Sequence, residues 1–502
     1  MIEIATPTIT RGLKHKQPEK REGTMNSIRV KTLTGAETEI GMDEVGTLRQ
    51  RLQGPLILPS DAKYDTTRKV WNGMIDKHPA LMAQCAEPAD VIASVNFARE
   101  HDLLLSVRGG GHNVAGTALA EQGMVIDLST MRRVRVDPDR KTARVEGGAT
   151  LGDVDQETQA FGLATPLGLV SRTGVAGLTL SGGFGWLTRR YGLSCDNLRS
   201  VDIVTADGRL RTASETENPD LFWAVRGGGG NFGVVTSFEY ALHPIGPEVM
   251  LNALFYPSEL AGPGIRYFRD FMRNAPPEYF GLAVLWSLPE GPPFPPEWAG
   301  EPVLVFVGVH SGDVTEGQRV VEPLRTFDDP LADLSGPVSW LDAQTFYDED
   351  YPQRMLYYWK SAYLDELNDD AIDVLVADGV DRPSALSNLD VWYLGGALTE
   401  KAPDETAFWY RNVEAMIGVE ANWEDPAQSE ANVAWARELV ADLQPHASDG
   451  SYANFGGFLG ESDNPARQIY GGNYTRLVEI KQRYDPGNLF RLNHNVNPTA
   501  EV

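Results

Sequence analysis

Cysteine is nearly missing from this sequence: Cys85 and Cys195 are the two among 502 residues. That excludes a disulfide framework, and without a C-x-x-C pair neither a thiol-redox centre nor a structural zinc site has support. Long apolar runs are missing too. No stretch of about 18 apolar residues occurs, so no membrane-spanning helix is expected. Positive charge is short: 44 Lys and Arg stand against 70 Asp and Glu, a net charge of −26. Nucleic acid and anionic membranes both select basic surfaces, so neither is expected as a partner. The acidic balance reads as a solubilising surface. No internal repeat is visible. The N-terminal stretch lacks the apolar core of a signal peptide. It is expected to be a disordered lead over 1–40, with Met25 as an alternative start and the cytoplasm as default location. Nothing in the sequence sets an oligomeric state.

What is plentiful is glycine, 50 residues, with 32 prolines. The length suits two domains. A helix is predicted over 43–52. Residues 88–101 form an amphipathic helix, with Val91, Val95, Phe97 and Ala98 at helical spacing and Asp90 near its N-terminus. A strand over 103–107 follows, then the loop RGGGHNVAG. From there to about residue 243 short strands alternate with glycine turns, and Asp207-Gly208 reads as a hairpin turn. Near His243-Pro244-Ile245-Gly246-Pro247 the glycine clusters stop and aromatics and prolines take over. The expectation is an α+β chain with a first domain over 41–245, a second over 246–445, and a tail over 446–502 that packs back on the first.

Four glycine clusters carry chemistry: 108–116 (RGGGHNVAG), 146–149 (EGGA), 173–185 (TGVAGLTLSGGFG) and 226–233 (RGGGGNFG). Glycine lets backbone N–H groups approach a ligand closely, and successive N–H groups make anion-binding concavities. Together they point to a large ligand bearing a pyrophosphate. A Rossmann site is excluded, because no G-x-G-x-x-G joins a strand to a helix with an acidic residue about 20 positions later. His112 ends a glycine run. An imidazole with an unprotonated nitrogen is a nucleophile near neutral pH, and a rigid loop could hold it against the electrophilic 8α-methyl carbon of a flavin.

The motifs RGGGH, TGVAGLTLSGGFGW, YGLSCDNL, ENPDLFWAVRGGGGNFGVVTSFEY and YGGNYTRLVEIKQRYDPGNLFRLNHNV give the chain a family likeness over about 45–497. It resembles the FAD-linked oxidases of the vanillyl-alcohol oxidase / p-cresol methylhydroxylase superfamily, in the berberine-bridge-enzyme-like branch, and its bacterial 6-hydroxynicotine-oxidase-like members. The resemblance implies a two-part FAD domain of the p-cresol methylhydroxylase type, and a substrate domain whose antiparallel sheet, covered by helices, roofs the flavin. It implies FAD linked covalently through His112. Arg108, Gly109, Gly110, Gly111, Asn113 and Gly116 would wrap the diphosphate. Thr173, Gly174, Gly177, Leu178, Gly182 and Gly185 would line the dinucleotide and ring, Gly233 and Val235 the adenine side, and Asn493 and Asn495 the flavin from the tail. The chain departs from the family twice. A second cysteinyl link is not expected, since Val170 stands where relatives carry the cysteine. Phe455 stands where relatives carry a catalytic tyrosine.

The expected reaction is hydride removal from a C–H next to O or N of a small, aromatic alcohol or amine, with O₂ reduced to H₂O₂. Thr173 stands at the position that gates O₂ in relatives. Period-2 alternation over 416–423 puts Met416, Gly418, Glu420 and Asn422 on one face, which makes Glu420 the candidate base. Tyr393 and Lys360 are further polar candidates. A carbohydrate oxidase and a flavin-binding protein without catalysis are the competing readings. No metal site is expected.

Overall fold

The computed structural model describes residues 26–458 and 465–500. The expected disordered lead is corrected in part: residues 1–25 lie outside the described residues, while Ser27–Lys31 and Glu37–Gly41 pair as an antiparallel hairpin. Val30 and Ile40 fix it, burying their side chains in the same core as the helix Met42–Arg51. The alternation is too short to stand out in the sequence, and burial beneath neighbouring elements decides it.

Two sheets build the first half. A four-stranded sheet orders Leu56–Ile57, Leu81–Gln84, Met124–Asp127 and Leu105–Arg108, its last three strands parallel. The helix Pro88–Glu100 covers it, entered by proline at the first helical turn, where no N–H is needed. A five-stranded antiparallel sheet follows, ordered Leu210–Ser214, Leu198–Val204, Val234–Ala241, Thr142–Glu146 and Val134–Asp137. The helix Leu151–Gln159 starts on a capping box between Thr150 and Asp153.

The tail belongs to this half. Tyr474, Leu477, Val478 and Ile480 of the helix Tyr474–Tyr484 share one core with Leu221, Phe222 and Phe238. Lys481, fully buried, donates to the carbonyls of Asn231 at 2.6 Å and Phe490 at 2.9 Å and to Asp485 at 2.7 Å. Burial pulls its ammonium down to about 8, and the Asp485 charge opposes that. Removing the carboxylate would leave a buried unpaired cation, which costs about 3–5 kcal/mol.

The second half is an eight-stranded antiparallel sheet. Its strands Tyr279–Ser287, Asn388–Tyr393, Ala415–Trp423 and Leu356–Leu364 are consecutive neighbours. One face packs on the helices Ala261–Asn274, Asp369–Gly379 and Ser429–Leu443, burying Ile417, Val419, Ala421 and Trp423. The other face lies on the glycine-rich segment through Phe184, Trp186 and Leu193, against Phe280, Trp392 and Met416. The α+β class and the helix-covered antiparallel sheet hold. Both faces being buried explains why these strands read as near-continuous apolar runs.

Candidate active site

A cavity of about 280 Å³ lies between the glycine loops and the eight-stranded sheet. Its floor comes from the loop after Leu105–Arg108, the helix Val175–Leu180, the start of Val234–Ala241 and the tail around Asn493. Its roof comes from Trp359, Asp390, Trp392, Met416 and Glu420, with Tyr347 and Tyr351 from a loop and Tyr452 and Phe455 from a turn.

The glycines serve two purposes. Gly110 and Gly174 pack back to back: a Cβ on either would sit within 2.5 Å of the other's backbone. Neither loop could approach the other with side chains there. Gly177 and Gly230 have nothing within 4 Å of a Cβ, and both line the cavity. Their bare backbone faces the ligand space.

Of the expected cofactor residues, Gly109, Gly110, Gly111, His112 and Asn113 are on the wall, as are Thr173, Gly174, Gly177 and Leu178, and Gly233, Val235 and Asn493. Five are not among the lining residues. Arg108 turns its guanidinium back to the Thr67 carbonyl, with Asp127 at 3.8 Å. Gly116 lies under Ile75, and its carbonyl accepts from Lys77 at 2.7 Å. Gly182 packs on Phe408, and a Cβ at Gly185 would lie 1.7 Å from the Leu167 carbonyl oxygen. Asn495 is replaced on the wall by His494. These five shape the loops behind the wall.

Four wall residues carry buried polar atoms with no protein partner: His112 Nε2, Trp392 Nε1, Asn493 Oδ1 and His494 Nδ1. Buried polar groups in native proteins are almost always paired, so these atoms await a ligand. The His112 ring stacks on Trp71 with centroids 4.0 Å apart, and Trp71 stacks on Tyr357 at 3.7 Å. Burial pulls the imidazole down to about 3, so it is neutral at any ordinary pH. Val170 lines the cavity and offers no nucleophile. Cys195 is buried off the wall, and burial pushes its thiol up.

In the roof Glu420 is 2% and Asp390 4% exposed. Tyr351 donates its hydroxyl to Glu420 at 2.7 Å. Asn388 donates to Asp390 at 2.8 Å and to the Tyr351 oxygen at 3.3 Å. Burial pushes both carboxyls above their ordinary range, and the Asp390 charge pushes Glu420 further. Glu420 was expected here. Tyr393 and Lys360 were too, and the structure corrects both. Along Asn388–Tyr393, Asp390 and Trp392 face the cavity while Val391 and Tyr393 face the helices. Tyr393 donates to Glu414 at 2.8 Å, and Glu414 takes Arg273 at 2.8 Å, in a separate surface cleft. Lys360 is absent from the wall; it follows Trp359, which lines it, and so shares the opposite parity with Tyr358 and the helix-side core. Asp390, absent from the sequence expectations, sits opposite Gly418 in register, and period-2 counting is the signal that finds it. Tyr351 and Tyr452 gave no periodic signal. Tyr452 accepts from Asn454 at 2.8 Å, and burial keeps its phenol protonated.

Among the described residues no group of three or more His, Cys, Asp or Glu is placed to hold a metal ion, and no helix is long and apolar enough to cross a membrane.

Residues 79–214 match the family model described as an FAD binding domain, and 451–497 the one described as berberine and berberine like. The chain is 32% identical over 460 residues to (R)-6-hydroxynicotine oxidase of Paenarthrobacter nicotinovorans, covering 89% of this chain and 97% of that protein. It is 31% identical over 463 residues to an FAD-linked oxidoreductase of Bacillus subtilis, covering 90% and 98%. Among solved structures, 6-hydroxy-D-nicotine oxidase from Arthrobacter nicotinovorans superposes with a TM-score of 0.79 at 27% identity, covering 89% of this chain and 98% of that one. Xylooligosaccharide oxidase from Myceliophthora thermophila, in complex with xylobiose, gives 0.81 at 25%, covering 91% and 100%.

Proposed function

Because this chain belongs to the FAD-linked oxidoreductases with a berberine-like C-terminal segment, we propose that it is an oxidase whose FAD is joined covalently to His112. Its reaction takes hydride from a C–H next to O or N of a small molecule and delivers the electrons to O₂. The observation that carries this reading is the His112 ring: half-buried, neutral, held in a three-ring stack, and on the wall of a cavity with its Nε2 buried and unpartnered.

The fit to FAD is specific. Among the described residues no lysine or arginine lines the cavity, so the diphosphate would rest on the backbone N–H groups of 109–113 and of Gly230; the Gly229 N–H is already given to the Leu180 carbonyl at 2.8 Å. Asn493 and His494 would meet the flavin from the tail with their unpartnered atoms. Bound there, the isoalloxazine supplies hydride acceptance and transfer of electrons to O₂. The chain supplies the rest. The Trp71 stack fixes the plane of the imidazole. The aromatic side chains of the roof exclude water, which strengthens every polar interaction beneath them. Glu420 and Asp390 are the groups able to take a proton from substrate, because a carboxyl raised by burial is a stronger base than one in water.

The test is denaturation. Acid-precipitated protein should keep its yellow colour, and His112→Ala should release the flavin to the supernatant while still binding FAD when folded. A colourless wild-type pellet would sink the covalent link. Peroxide release with a panel of sugars, benzylic alcohols and cyclic amines separates this reading from a carbohydrate oxidase and from a flavoprotein without catalysis.

A further inference from the structure

We infer that the roof of this cavity recognises a small organic ammonium ion, so that the substrate is an amine taken up as its cation. The inference rests on the oxidase reading above and narrows its substrate class.

Charge is the first argument. Two carboxyl side chains, Asp390 and Glu420, face the ligand space, and among the described residues no lysine or arginine lines it. Their partners are neutral donors, Asn388 and the Tyr351 hydroxyl. Among the described residues neither carboxyl forms an ion pair. Buried carboxylates in proteins are normally paired with cations, and two side by side repel. What this pair lacks is a positive charge, and the cavity is the place from which one can arrive.

Shape is the second. The rings around the carboxyls meet at steep angles and so form walls. Tyr351 stands edge-on to Trp359 at 5.4 Å, Trp359 to Phe455 at 5.0 Å, and Trp392 to Phe455 at 6.4 Å. Aromatic faces attract ammonium groups, and cages of them bind quaternary ammonium ions. Gly418 lies behind these groups: a Cβ there would touch Trp392 Nε1 at 3.4 Å, Phe455 at 3.5 Å and Asp390 at 3.6 Å, so the glycine lets all three sit close on the strand. Trp392 Nε1 is itself buried, on the wall and turned toward the Asp390 carboxyl, without a well-formed hydrogen bond in the protein. Its N–H is left available to a ligand at this end.

A pair of carboxyls also suits the proton inventory of amine oxidation. A protonated amine has no lone pair to assist hydride loss. One carboxylate takes the N–H proton and becomes the acid, which leaves the neutral amine. With FAD bound, hydride would then leave the α-carbon for the isoalloxazine with both electrons of the C–H bond, and the substrate would become an iminium cation. The second carboxylate stays ionised and faces that charge throughout. A neutral alcohol or sugar would leave this second charge without use.

Tetramethylammonium and its uncharged analogue tert-butanol differ mainly in charge and cannot be oxidised to imines. Calorimetric titration of the holoprotein should show tetramethylammonium binding at least about 30-fold more tightly, roughly 2 kcal/mol. Glu420→Gln and Asp390→Asn should each weaken the cation by about tenfold or more, with tert-butanol binding and flavin content unchanged. Equal affinity for the two probes in wild type overturns the inference without any variant. So does cation binding that survives both substitutions. Flavin content and peroxide formation on reoxidation of photoreduced protein report the oxidase reading separately. Normal values there with no cation preference refute the ammonium site alone, and a protein without flavin refutes both.

Discussion

At the scale of single residues the site turns on two burials of opposite consequence. Burial holds the His112 imidazole neutral, and burial raises the carboxyls of Glu420 and Asp390 above their ordinary range. For a carboxyl raised in the folded protein, the base form is present above the raised value and is lost as pH falls through it. Flavin reduction should therefore fall on the acid side at a pH above the ordinary carboxylate range. Glu420→Gln should slow reduction by about 10²–10⁴-fold, the usual contribution of a general base. It should also move the remaining limb to lower pH, because Asp390 then loses a like-charged neighbour. Anaerobic stopped-flow over pH reads both, with Tyr393→Phe as the control that changes neither. An unshifted limb would remove the carboxyl pair from proton transfer.

At the scale of elements, strands were easier to read than the loops that complete them. Period-2 counting put Glu420 on the correct face of Ala415–Trp423. The same counting on Asn388–Tyr393 selects Asp390 for the cavity, while the parity of Tyr393 sends it to the helices. The glycine motifs located the floor, but spacing alone could not separate Gly177, open to the ligand, from Gly185, pressed on a carbonyl. That distinction depends on what packs behind each loop. The segment 345–355, which brings Tyr347 and Tyr351 to the roof, has no periodicity at all. It is tied down by Asp348, which accepts from the Ser171 N–H at 2.8 Å and the Ser171 hydroxyl at 2.5 Å. Hydrogen bonds to a charged group are worth about 1.5–3 kcal/mol each. Asp348→Ala should let the segment open at least about tenfold more often. Tryptic cleavage at the exposed Arg354 should quicken accordingly, and an unchanged rate would mean that other contacts hold the loop.

At the scale of the whole molecule, a net charge of −26 surrounds a cavity whose wall, among the described residues, carries no lysine or arginine. On the reading proposed here, a dianionic diphosphate would enter an acidic protein and rest on backbone dipoles. Long-range forces and short-range contacts then oppose each other: the outer field turns the cofactor away, and the loops hold it once it arrives. Dissolved salt shortens the reach of that field to about 10 Å at 0.1 M and leaves dry contacts nearly untouched. FAD uptake by the His112→Ala apoprotein, followed by flavin quenching, should accordingly speed up as NaCl rises from about 20 to 200 mM. Sites that draw phosphates in with arginine slow down under the same change. Uptake that slows here would place an unseen basic patch at the entrance. For an incoming ammonium ion the dependence reverses, so one rise in ionic strength should hasten the loading of this protein with cofactor and retard its capture of substrate.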